Sequence, residues 1–116
     1  MHQAERALLS AALVDNTAIA QAGVLPEHFS SAIGERIWRA VLVIHGRGDP
    51  VDPVTLQGDL SDDLESMRVI GQALQEVGSS SNAKAYAKAV RTEHKRRELL
   101  SIADGLKEDA AERHPN

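Results

Sequence analysis

The side chains able to do chemistry here are 5 histidines, 17 carboxylates and 13 basic groups in 116 residues, with no cysteine. A metal site needs ligands gathered at fixed spacing. His2, His28, His45, His94 and His114 form no H-E-x-x-H or other paired pattern, and a thiolate zinc site has no thiolate to use. The histidines therefore read as surface or helix-end residues. No G-x-S-x-G turn presents a serine nucleophile. No G-x-x-x-x-G-K-[ST] stretch offers a phosphate cradle, so ATP and magnesium have no seat in this chain. The carboxylates fall on helix faces among basic neighbours, where solvated surface is their expected role. Arg47-Gly48-Asp49 spells an adhesion tripeptide, but it stands where a helix must stop and turn. The expectation is a chain with no catalytic, cofactor or metal site.

Composition narrows the partners. A net charge of −4 is the wrong sign for a domain that grips DNA by counterion release. One Phe, one Trp and one Tyr supply no row of stacking platforms for single strands. No apolar run approaches the roughly 20 residues of a membrane-spanning helix. The opening Met1-His2-Gln3-Ala4-Glu5-Arg6 lacks a signal-peptide layout, and the absence of cysteine suits a reducing compartment. A soluble, cytoplasmic domain is expected, with no strong direct nucleic-acid contact and no membrane.

These residues must be positioned by helices, because helical periodicity dominates and no segment alternates as a strand would. Gln3 to Val14 is predicted helical, with Asp15-Asn16-Thr17 as a stop and a new start. A short helix follows to Ala22, ended by Gly23. Pro26-Glu27-His28-Phe29 reads as one turn that tucks Phe29 inward. Ile33, Ile37, Trp38, Val41 and Ile44 share one face of a helix capped by Ser30 or Ser31. In the next helix Asp52 caps, Pro53 takes the first position, and Leu56 and Leu60 face inward. Asp62 is predicted to begin a further helix with Leu64, Met67, Gly71 and Leu74 on one side. After the loop Gly78-Ser79-Ser80-Ser81-Asn82, a long helix runs from Ala83 to about Ala110. The fold class is all-α, a bundle of about six helices.

The last helix is the informative one. Tyr86, Ala87 and Val90 form one apolar group; Leu99, Leu100, Ile102, Ala103 and Leu106 form a second. Between them Arg91-Thr92-Glu93-His94-Lys95-Arg96-Arg97-Glu98 has no apolar side chain, a gap of about two turns. The first group is expected to dock on the globular part, while the second reaches beyond it and needs a partner, since isolated helical ends are marginal in water. The alternative is a helix that bends back over its own domain. The basic series Lys84, Lys88, Arg91, Lys95, Arg96, Arg97 reads as a solvated face with intrahelical pairs such as Glu93–Arg97. A partner contact ranks second for it and DNA third.

Five pieces then fall in register over almost the whole chain. Ala4-Glu5-Arg6-Ala7-Leu8-Leu9 resembles the opening of DnaB-type replicative helicases. Leu25-Pro26-Glu27-His28-Phe29 is similar to their D/H-F turn, and Arg36-Ile37-Trp38 to their apolar-aromatic pair. Gly48-Asp49-Pro50-Val51-Asp52-Pro53-Val54-Thr55-Leu56 resembles their G-x-P-(V/I)-D-x-(V/I)-T-L, the most specific piece. Ser79-Ser80-Ser81-Asn82 through Tyr86, Val90 and Arg91 is similar to their S-A-A-N-x-x-x-Y-A-x-x-V-R. Departures exist: Gly78 stands where Pro is usual, Gly34 where His is common, the Gly-Gly pair before the fifth helix is absent, and the linker at Ser61-Asp62-Asp63 is short. They suit a divergent member of the kind carried by phages or plasmids.

The resemblance implies the N-terminal domain of such a helicase, with a globular head over residues 1–82 and the first arm of a helical hairpin over residues 83–116. It implies hairpins pairing between protomers into a collar, and docking of primase and in some systems a loader. Arg97, Leu99, Leu100, Ile102, Ala103 and Leu106 are the expected protein interface; Asp52, Pro53, Thr55, Asn82 and Tyr86 are structural motif residues. ATP and magnesium would belong to a motor domain outside this chain. A stand-alone helical adaptor that binds a helicase or primase is the alternative, and a small helical enzyme or metal protein the third reading.

Overall fold

The computed structural model describes residues 1–76 and 80–113, with side chains as far as residue 106. Gly78 and Ser79, predicted as loop, lie outside the described residues. Among the described residues there are six α-helices: α1 Gln3–Val14, α2 Thr17–Ala22, α3 Ala32–Gly46, α4 Pro53–Asp59, α5 Leu64–Gln75 and α6 Ala83–Arg113. One 3-10 turn, Pro26–His28, precedes α3 and another, Ser80–Asn82, precedes α6.

Helices α2 to α5 start where a side chain meets their free N–H groups. Asp15 accepts from the backbone and hydroxyl of Thr17 at the head of α2, which holds its carboxyl below the usual range. Of the two candidate serines, Ser31 caps α3 by accepting from the Gly34 N–H at 3.1 Å. Ser30 instead turns to Glu5. At α4 the reciprocal box is complete: Asp52 Oδ1 accepts from Thr55 N–H at 2.9 Å, and Thr55 Oγ1 accepts from Asp52 N–H at 3.0 Å. Gly23 closes α2 in the left-handed region at φ 60°, which glycine adopts without strain.

α5 corrects the sequence reading. Its cap is Asp63 rather than Asp62, and its buried face is Ser66, Ile70 and Ala73, with Met67 half-buried. Leu64 and Leu74 are 81% and 44% exposed, and Gly71 is exposed. The helix packs on α1 and α3, with Ser66, Ile70 and Ala73 as its buried residues. Ser66 is tolerated inside because its hydroxyl donates to Asp63.

The core lies where α1, α3 and α5 meet under α4 and the start of α6. Leu8, Leu9, Ile37, Trp38, Val41, Ile44, Leu56 and Ile70 are buried there. Each such side chain contributes about 1.5–3 kcal/mol by leaving water. Trp38 is fully covered, its indole N–H donating to the Val24 carbonyl at 2.7 Å and its ring 5.5 Å from Phe29. Phe29 is tucked inward as its turn predicts.

Two polar side chains tie distant segments together. Glu5 is 2% exposed, and its carboxylate accepts from His2 N–H, Ser30 N–H and Ser30 hydroxyl at 2.6–2.9 Å. It is an exception to the rule that carboxylates are solvated, with hydrogen bonds replacing the water it gave up. Asn16 donates to the carbonyls of Ala12 and Val51 at 2.9 Å and accepts from Val51 N–H at 2.8 Å. The α3–α4 connection is thereby fixed to the α1–α2 corner.

Candidate interaction surface

α6 is a continuous 31-residue helix, about 46 Å at 1.5 Å per residue. Its start docks on α1 and α2: Ala83, Ala87 and Val90 are buried and Tyr86 is half-buried. Asn82, expected to matter at this start, is exposed in the preceding 3-10 turn.

The eight-residue gap is not a bare stretch. Arg91 donates to the Ala22 carbonyl at the end of α2, and Arg97 Nη2 donates to the His28 carbonyl at 2.9 Å. Both guanidiniums thus satisfy carbonyls that a short helix or turn leaves open at its C-terminus, where positive charge is favourable. His94 stacks tilted on His28, ring centroids 4.8 Å apart, and its Nε2 lies 3.0 Å from Glu98 Oε1. So these two histidines form a contact instead of standing separately at the surface. The basic series is corrected in the same way. Glu93 pairs with Arg96 at 3.7 Å rather than with Arg97, and Arg91 and Arg97 face the head. Only Lys84, Lys88, Lys95 and Arg96 remain exposed.

Beyond this polar neck the second apolar group emerges. Leu99, Leu100, Ile102 and Leu106 are 55–64% exposed, and Ala103 is exposed beside them. The helix does not bend back to cover them. At 100° per residue this group centres about 170° around the helix from Ala83, Ala87 and Val90. Of the proposed interface residues, then, five form an outward apolar face, whereas Arg97 sits half-buried against the turn of its own domain. Its preceding basic and apolar spacing could not reveal that contact, which spans 69 residues of sequence.

Arg47 pairs with Asp49 at 2.8 Å and Asp59 at 3.1 Å, so the Arg-Gly-Asp tripeptide is a turn locked by its own ion pairs, and the arginine is held above its ordinary range by those hydrogen bonds. A surface hollow of 460 Å³ is lined by Arg36, Asp59, Leu60, Ser61, Asp62 and Asp63. Within it Asp63 is lowered to about 2, first by the Ser66 hydroxyl and backbone N–H, then by Arg36. Among the described residues no three His, Asp or Glu side chains converge to hold a metal, and no helix is long and apolar enough to cross a membrane.

The chain is similar to known proteins along almost its whole length. It is 28% identical over 114 residues to "Replicative DNA helicase DnaB" of Geobacillus stearothermophilus and, equally, to "Replicative DNA helicase DnaC" of Bacillus subtilis (strain 168). Both alignments cover 92% of this chain, which spans about a quarter (25%) of those relatives. The crystal structure of the N-terminal domain of DnaB helicase from Mycobacterium tuberculosis superposes with a TM-score of 0.83 at 25% identity, over 90% of this chain and 81% of that one. The corresponding Helicobacter pylori domain, studied with its interactions with primase, shares the fold at a TM-score of 0.78 and 21% identity, over 93% and 89% of the two chains. The part of a replicative helicase that is matched is its N-terminal domain. Residues 1–92 match the family model described as "DnaB-like helicase N terminal domain", and the chain belongs to that family.

Proposed function

We propose that this chain is the collar domain of a replicative DNA helicase, acting by self-association and by docking primase or a helicase loader. The head is residues 1–82 and the arm is residues 83–116. One observation carries the reading: an apolar face of Leu99, Leu100, Ile102, Ala103 and Leu106, held away from the head by a polar neck. Leaving four large apolar side chains more than half exposed costs solubility unless another surface covers them. Primase enters because structures that share this fold were studied for their interactions with primase. Catalysis of unwinding would lie in the part of the parent protein outside this chain.

Light scattering tests the proposal on single variants of the chain. Leu100→Asp or Leu106→Asp is expected to lower the mass of the assembly to that of one chain while the helical signal and unfolding midpoint of the head stay unchanged. A mass that is the same before and after substitution removes the reading. A natural gene product no heavier than 12.5 kDa would favour the stand-alone adaptor instead.

A further inference from the structure

The polar neck contains a titratable device. His28 closes the turn Pro26–His28 with its own ring: Nδ1 accepts from the Leu25 N–H at 2.9 Å. That bond places the lone pair on Nδ1, so the neutral ring carries its proton on Nε2. A second proton has nowhere to go but Nδ1, where it would face the Leu25 N–H donor to donor. The same residue offers its backbone carbonyl to Arg97 and its ring to His94, so the cap and the grip on α6 meet in one residue.

We propose that His28 is a proton-operated latch, whose protonation at Nδ1 opens the Leu25 cap and loosens the hold of the turn on α6. The charged groups around the ring are Glu27 beside it in the turn and His94, Arg91 and Glu98 on α6. From α3, packed on the other side of the turn, Glu35 and Arg39 pair with each other and Arg36 pairs with Asp63. Burial, then His94, then Arg91 push the His28 ring below its ordinary value of 6.5, against an opposing pull from Glu27 and Glu98. The sign follows: a base depressed in the folded state gives stability that is complete above 6.5 and lost as the pH falls through its lowered value. The latch is therefore shut at neutral pH and opens in mild acid.

The latch stands on the geometry of this chain; only its effect on assembly rests on the collar reading. Nitrogen-15 NMR of the histidines and amide hydrogen exchange test it at about pH 7.5 and about pH 5.5. The expected spectrum shows His28 neutral with its proton on Nε2 at the higher pH. Exchange at Leu25 and at residues 92–98, corrected for intrinsic rates, should be faster at the lower pH than at the higher. His28→Asn, which keeps an acceptor that does not titrate, should abolish that difference. A proton on Nδ1 in the unaltered chain, or quickening that persists in His28→Asn, would overturn the proposal. Both readouts are local to the turn, so they are unaffected if Leu100→Asp shows that the collar reading fails.

Discussion

The side chain of Asn16 behaves as a detached peptide group, pairing with both the N–H and the carbonyl of Val51 while also donating to Ala12. Val51 is 1% exposed, so these backbone groups have no water to fall back on. Asn16→Ala should cost about 2–6 kcal/mol, from two buried backbone groups left unpaired at about 1–3 kcal/mol each. The urea midpoint of the variant measures it, and a loss under about 0.5 kcal/mol would mean that the α3–α4 connection holds without this tie. Sequence distance decides which such ties can be read in advance. The Asp52–Thr55 box was legible because its partners lie three residues apart and Pro53 marks the first turn. The bonds of Glu5 to Ser30 and of Asn16 to Val51 span 25 and 35 residues, and nothing local marks their acceptors or donors.

At the scale of elements, α5 shows how a helix can bury its poorer face. Leu64 and Leu74 suggested one side, but Ser66, Ile70 and Ala73 are the side that faces α1 and α3. A serine is admitted on that face because its hydroxyl donates a hydrogen bond to Asp63. Ile70→Ala should therefore cost about 2–5 kcal/mol, as a large-to-small change in a packed core. Leu64→Ser should stay within about 0.5 kcal/mol. Chemical denaturation of the pair checks the assignment, and the reverse ranking would restore the face read from the sequence. α6 taught a different lesson. Its two apolar groups and the gap between them were legible, as was the emergence of the second group. The neck was not, because Arg91 and Arg97 reach carbonyls, which are present at every residue and leave no trace in side-chain pattern.

The whole molecule is elongated, 60 × 32 × 26 Å, with a radius of gyration of 16.9 Å. A compact domain of this length would have about 13 Å. The excess is the outer half of α6, whose residues 99–106 are exposed and add no core. Ending the chain after Glu98 should consequently change head stability by less than about 1 kcal/mol, since residues 99–106 are all exposed. It should also remove self-association. Thermal melts and light scattering of that shortened chain separate the two effects; a head that unfolds without the outer helix would show that the arm stabilises it after all.

The complete enclosure of Trp38 has a practical optical consequence. It is the chain's one tryptophan, held between Phe29 and the Val24 carbonyl away from water, so its emission belongs to the head alone. The arm has no tryptophan, and its single tyrosine, Tyr86, sits at the docked end. Fluorescence therefore follows melting of the core without dye or label, and events confined to the tip of α6 leave it dark.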